Sequence, residues 1–426
     1  MKKIEIKHVE EDIYTLELEN GLNVYLYVNE NIHNNYVTFT TKYGSVDNEF
    51  KLRNGKKVKM PNGIAHFLEH KVFVCENDPQ PEDYFARSGG VCNAYTTFKN
   101  TTYLFSSVDN LYDNVSYLLD FVQNIYLTDE NVESEKGIIT QEINMCNDRP
   151  SDLLYDKIRQ NTIEKNSFRE SIIGTVEDVN SITKEMLVDC YNTFYHPKNM
   201  FLVVTGNFDK EKMIDTIRKN QEGKIFDSYM EPKMEKCKES DNVVCAYEIV
   251  SCNTNIPKMA YSIKINTSKF NIDKRKLSIY MFIIFNLLFG DTSDFDEEMK
   301  NKGIITNSLY YNLLNIDTHF VVTLSNSLYN YADLIKEIDK KFKNIKFSDS
   351  EFSRKKKVLI SNEVFSYENI EMVNEMIIDN IIFDGNICDN IIDIINSLTI
   401  EELNEIVSKI DFNNKSIVVL KKEENK

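Results

Sequence analysis

The segment His66-Phe67-Leu68-Glu69-His70 constrains this chain more than any other. Two histidines four positions apart meet on one helix face, where both imidazoles can hold a single metal ion. A glutamate beside them can take a proton from water held by that ion. At about 100° per residue, with Ile64 as origin, Phe67 falls at about 300°, Leu68 at about 40° and Val72 at about 80°. These form an apolar arc. His66, Glu69 and His70 fall at about 200°, 140° and 240°, on the opposite side. The segment therefore asks for a helix with one face in a core and the other towards a cleft.

Two imidazoles leave a catalytic metal site short of a third protein ligand. The run Val132 to Asn144 offers Glu135 and Glu142, seven apart and so about 20° from eclipsed on a helix. One could ligate while the other supports the site from behind. Taken alone, the run reads as an amphipathic helix with solvated glutamates.

The rest of the chain sets limits. At 426 residues, two to four domains are expected. A formal charge of −17 excludes the basic footprint of a nucleic-acid binder, and reads as a solvated acidic surface that could also favour cationic peptides. The N-terminal Met1-Lys2-Lys3-Ile4 stretch lacks the apolar region of a secretory signal. The longest apolar run, 277–289, is too short for a bilayer, so no membrane partner is expected. Eight scattered cysteines without a Cys-x-x-Cys pair read as reduced side chains of a cytoplasmic protein.

Periodicity predicts two similar halves of α+β class, each a mixed or antiparallel sheet flanked by helices. In the first, an Asn20-Gly21 turn marks a hairpin, and strands follow at 36–43 and 91–108. Pro61-Asn62-Gly63 opens the histidine helix, and helices dominate 111–194 before a buried strand at 200–205. Residues 224–241 turn charged and poor in apolar side chains. The pattern then restarts, with strands at 243–250 and 258–265, a helix at 274–288, strands near 309 and 320–324, and a closing strand at 416–420. The expected division is a domain at 1–223, a linker at 224–241 and a second domain at 242–426, with the metal motif in the first copy only.

His-x-x-Glu-His followed some seventy residues later by Glu-x6-Glu resembles the pitrilysin/insulinase family of zinc peptidases, the inverzincins. Mitochondrial processing peptidase belongs to the same family. The likeness extends to Gly89-Gly90-Val91-Cys92-Asn93-Ala94-Tyr95-Thr96, to Ile173-Gly174-Thr175 and to Tyr195-His196-Pro197-Lys198-Asn199-Met200. It is strongest with short bacterial YmfH-like members. The resemblance implies one Zn2+ per chain on His66, His70 and Glu142, with Glu135 supporting and Glu69 as the general base. Zinc lowers the pKa of its water from about 15.7 to about 7. Asn93 and Ala94 would bind the substrate peptide along an edge strand, and His196 would be structural.

The same resemblance implies half of a clamshell, to be completed by a second homologous subunit. Many relatives hold the substrate carbonyl with an Arg and a Tyr from a later domain. The matching stretch here, 298–311, offers Tyr310 and Tyr311 but no arginine. That favours a heterodimer with a silent relative over a homodimer. The implied activity is endopeptidase cleavage of short flexible peptides, including leader or precursor processing of small ribosomally made peptides. The alternative is a non-catalytic peptide-binding or assembly subunit.

Overall fold

The computed structural model describes residues 1–77, 80–234 and 237–423. Three strands, β1 (Lys2–Ile6), β2 (Glu11–Glu17) and β3 (Asn23–Val28), run as antiparallel neighbours. At the β2–β3 turn Gly21 takes φ +87°, a conformation open to glycine, while Asn20 Oδ1 accepts the Leu22 N–H. Next come β4 (Asn35–Thr41), a small ribbon of β5 (Glu49–Lys51) and β6 (Lys57–Lys59), and helices α1 (Ile64–Val72) and α2 (Pro81–Arg87). The hairpin of β7 (Gly90–Thr96) and β8 (Thr101–Ser107) follows. Five helices then intervene: α3 (Leu111–Val122), α4 (Asp129–Asn147), α5 (Pro150–Thr162), α6 (Val176–Ser181) and α7 (Lys184–Phe194). The strand β9 (Met200–Gly206), buried throughout, and α8 (Lys210–Gln221) close this half.

The second half contains β10 (Tyr247–Ser251), β11 (Lys258–Asn266), α9 (Lys274–Phe289) and α10 (Asp294–Asn301). Then come β12 (Tyr310–Asn315), β13 (His319–Ser327), α11 (Tyr331–Phe342) and α12 (Asp349–Ser366). The chain ends with α13 (Ile370–Asp384), α14 (Ile391–Ser397), α15 (Ile400–Lys409) and β14 (Lys415–Lys421).

The duplication is explicit in the sheets. The first has the order β1-β2-β3-β9-β4-β8-β7, the second β10-β14-β11-β13-β12. Leaving aside β1 and β2, both place their five strands in the chain order first, fifth, second, fourth, third. In both, only the first and fifth are parallel. Two copies of one mixed α+β unit account for this, as expected.

The compact units do not follow the expected boundaries at 223 and 242. One comprises residues 1–143, 171–236 and 363–391; the other comprises 144–170, 237–362 and 392–426. Of the expected linker 224–241, residues 235–236 lie outside the described residues. Each half lends the other one helix. Helix α5 packs on β11 and β14, whereas α13 packs on β4 and β9, the matching strands of the first sheet. Burial explains the second exchange. Ile370, Val373, Ile377, Ile378 and Ile381 form one stripe of α13 and cover Tyr27, Phe201 and Val203. The buried Asn374 within that stripe is satisfied: its Oδ1 accepts from Thr38 Oγ1 at 2.6 Å, and its amide donates to the Tyr36 carbonyl at 3.2 Å.

Among the described residues no helix is long and apolar enough to cross a membrane. No disulfide joins the eight cysteines among the described residues.

Candidate metal centre

Helix α1 begins at Gly63, whose φ of +80° places it in the left-handed region. A side chain there would meet the Ile173 carbonyl at 2.3 Å. The contact is mutual, since Gly174, at φ +73°, lies so close to the Asn62 carbonyl that a Cβ would approach it to 2.5 Å. The Ile173-Gly174-Thr175 motif therefore acts as a seat for the start of the histidine helix. Ile64, Ala65, Phe67, Leu68 and Val72 are buried in the first core, as the helical arc requires. His66 and Glu69 on the other arc are buried as well, so that face is covered rather than open to solvent.

Helix α4 crosses this face. Its stripe Val132, Ile139 and Ile143 is buried, and Glu135 sits within the stripe. Glu142, two turns further on, remains partly exposed. The result is a convergence of three donors: His66 Nε2 and His70 Nε2 each lie 3.6 Å from one of the Glu142 carboxylate oxygens. These separations exceed hydrogen-bond length. They match the spacing of ligands around a four-coordinate ion, about 3.3–3.5 Å for bonds of about 2.0–2.2 Å. Among the described residues this is the one group of His, Cys, Asp or Glu side chains that could hold a metal ion.

The neighbouring groups prepare the donors differently. His70 Nδ1 lies 3.0 Å from Glu135 Oε1, an arrangement in which Nδ1–H donates and the Nε2 lone pair faces Glu142. Burial disfavours charge on His70, but the hydrogen bond and charge of Glu135, with Glu69 and Glu142, hold its pKa above the ordinary value. His66 has no such support: its buried Nδ1 finds no partner among the described residues. Burial, then the adjacent His70, pushes its pKa down to about 3, which keeps the imidazole neutral and able to ligate.

Glu69 points beside these donors and is not one of them. Its Oε2 accepts a 2.5 Å hydrogen bond from Thr96 Oγ1, and burial raises its carboxyl above the usual range. Thr96 belongs to β7, the edge strand of the first sheet, on the same face as Ala94. Asn93 and Val91 alternate to the other side and are exposed. Asn93 Oδ1 accepts the Ala94 N–H at 2.9 Å, so this edge donor is held by a side chain instead of a neighbouring strand.

The remaining sequence candidates separate. Tyr310 is exposed on β12, the edge strand of the second sheet. Tyr311 turns inward, its ring centroid 5.8 Å from that of Phe282 and 6.0 Å from that of Phe285. It is a packing residue. His196 receives the Lys198 N–H on Nδ1 and faces the Asp227 carbonyl with Nε2, the structural role expected of it.

Sequence reasoning missed two residues here. Thr96 was part of the Asn93-Ala94-Tyr95-Thr96 motif, and strand alternation alone puts it on the Ala94 face. Lys71 lies at about 340° on the α1 wheel, inside the apolar arc, where a charge demands a buried partner. Its partner is Glu135, with Nζ 3.2 Å from Oε2.

The second copy lacks these groups at the matching places. Between its second and third strands stands the apolar α9, without histidine. Helix α12, counted from its start as α4 is, carries Lys355 in place of Glu135 and Asn362 in place of Glu142. Lys355 donates to Asn286 Oδ1 of α9 at 3.0 Å, closing the equivalent spot with a hydrogen bond to an amide.

Comparison with known proteins agrees with this asymmetry. The family model "Insulinase (Peptidase family M16)" matches residues 57–176, and "Peptidase M16 inactive domain" matches 181–359. The chain is 40% identical over 307 residues to the "uncharacterized zinc protease YmfH" of Bacillus subtilis, covering 72% of each. A crystal structure described as an M16-like peptidase from Alicyclobacillus acidocaldarius superposes with a TM-score of 0.92 at 29% identity, over 98% of this chain and 100% of that one. The periplasmic protease PqqL of Escherichia coli shares the fold, with a TM-score of 0.77 at 14% identity; the match covers 99% of this chain and 48% of PqqL. The chain belongs to peptidase family M16.

Proposed function

We propose that the chain is a zinc-dependent endopeptidase acting on short unstructured peptides, with one ion held by His66, His70 and Glu142. The observation that carries this reading is the convergence of those three donors next to a buried carboxyl, Glu69, beside an edge strand. When bound, zinc supplies a Lewis acid for the scissile carbonyl and makes water acidic enough to ionise near neutrality. Glu69 takes the proton of the attacking water and passes it to the departing amine as the C–N bond breaks. Its burial makes it a stronger base than a solvated glutamate, and Thr96 fixes which oxygen remains free. Glu135 holds the His70 ring in its ligating tautomer.

The peptide joins β7 as an added strand. Asn93 gives up its hold on the Ala94 N–H to the substrate backbone, which supplies affinity with little demand on side-chain sequence. Maturation of small ribosomally made peptides fits such a site. A second homologous chain completes the enzyme. The absence of arginine from 298–311 supports a heterodimer in which the partner provides the carbonyl-holding pair, Tyr310 being the candidate from this chain.

A peptide-binding or assembly subunit without catalysis is the competing reading. It is disfavoured because His66, Glu69, His70 and Glu142 are all present and together. Glu69→Gln separates the two. Cleavage of an unstructured peptide should fall by about 10²–10⁴ while zinc stays bound at one per chain. Full activity in that variant would remove the mechanism, and a purified chain that binds no zinc would remove the peptidase reading.

A further inference from the structure

Lys71 is the most buried charged side chain beside the metal centre, and nothing in the mechanism above uses it. It does not point at the donors. Its Nζ donates to the Asn131 carbonyl at 2.9 Å and to Glu135 Oε2 at 3.2 Å. The other oxygen of Glu135 is the one that faces His70 Nδ1. A continuous chain therefore runs from Lys71 through Glu135 to His70, with each oxygen of the carboxylate committed to one neighbour.

The same contacts fix α4 against α1. Asn131, Glu135 and Glu142 lie at about 0°, 40° and 20° on the α4 wheel, one narrow stripe. Lys71 holds the main-chain carbonyl of the first and the carboxylate of the second, and the third is the Glu142 donor. His66 has no comparable support for its Nδ1. The orientation of the ligand set is thus built on the His70 side alone.

We infer that Lys71 is a positioning residue for the metal: acting through Glu135, it orients His70 and sets the α4 register that brings Glu142 to the ion. This rests on the reading of His66, His70 and Glu142 as the zinc site. Lysine suits the task because a charge sealed from water cannot be exchanged for solvent. The carboxylate it binds is then locked in one pose, with no freedom to rotate away from His70.

The test is zinc affinity of the purified full chain, measured by chelator competition, for Lys71→Met, Glu135→Gln and the double variant. Outer hydrogen-bond partners of metal ligands typically contribute about 10–100-fold in affinity. Each single variant should lose that much, and the double should lose no more than about threefold beyond Glu135→Gln. Cobalt(II) substituted for zinc should show the same displaced visible absorption bands in both single variants. A purely structural lysine would leave those bands as in the wild type. Lys71→Gln, which keeps a donor for the Asn131 carbonyl without the charge, reads the same coupling should the methionine variant fail to fold. Wild-type zinc binding with unchanged affinity and cobalt spectrum in these variants overturns the role of Lys71, as does a fully additive loss in the double variant. A wild-type chain that binds no zinc overturns the site itself, a distinct outcome.

Discussion

Glu239→Gln should cost the second compact unit about 3–5 kcal/mol at pH 7. The Glu239 side chain is fully buried, as is that of Lys264, whose Nζ lies 2.6 Å from Oε1. The carboxylate also receives three backbone N–H groups in succession, from Glu164 at 2.8 Å, Lys165 at 2.9 Å and Asn166 at 2.8 Å. Glu164 shares Oε1 with Lys264, and the other two share Oε2. A glutamine has one acceptor oxygen, so either orientation orphans two donors, and the Lys264 charge loses its counter-charge. Breaking a buried pair in this way typically costs about 3–5 kcal/mol. A second route gives a similar figure. Burial alone would raise the Glu239 carboxyl, but Lys264 and the three N–H groups outweigh it and bring the pKa from 4.5 to about 2. At about 1.36 kcal/mol per pH unit, that is about 3 kcal/mol. The sign follows from the depressed pKa. The contribution is complete above about pH 4.5 and disappears as the pH falls through about 2, so wild type and variant should converge on acidification. Urea unfolding at pH 7 measures the loss, and hydrogen exchange at amides 164–166 localises it. A loss under about 1 kcal/mol with those amides still protected would refute the argument.

Other expectations concern the first unit. Thr96→Val should leave zinc affinity within about threefold of wild type but lower kcat about tenfold, because Glu69 loses its hydrogen bond from Thr96; equal kcat would show that the 2.5 Å contact has no catalytic consequence. Gly174→Ala should destabilise by more than about 1–2 kcal/mol, as it forces a side chain into a left-handed conformation against the Asn62 carbonyl. Thermal melts of the metal-free chain would measure it. Asn374→Ala should cost about 1–3 kcal/mol in urea unfolding, since Thr38 Oγ1 loses its buried acceptor. Chelator treatment should lower the melting temperature of the zinc-loaded chain and leave that of Glu142→Ala unchanged at the same zinc concentration.

Much of the site was legible because it is local. His66, Glu69 and His70 lie within one and a half helical turns, so spacing alone fixes their common face. Glu142 is a different case: nothing local separates it from Glu135, and only the family resemblance chose between them. In the fold the two glutamates diverge: Glu135 turns to His70 Nδ1 and Lys71, while Glu142 lies 3.6 Å from both Nε2 atoms. The strands β4, β9, β11 and β14 were visible as apolar runs, but β1 was not. The alternation Lys2-Lys3-Ile4-Glu5-Ile6 becomes a strand by pairing with β2. The partners of α5 and α13 were also beyond reach. An amphipathic stripe says that a helix must be covered and carries no address for the sheet that covers it.

That exchange of helices bears on when the first unit can finish folding. During synthesis His66, His70 and Glu142 emerge within residues 66–142. The helix that seals the opposite face of their sheet emerges only with residues 370–384. Until then Tyr27, Phe201 and Val203 lack their cover, and the first unit cannot reach its final stability. A nascent or truncated chain would hold the whole zinc motif without a finished scaffold beneath it. The order of segments thus acts as a clock that delays the finished scaffold of the first unit until residues 370–384 have been made.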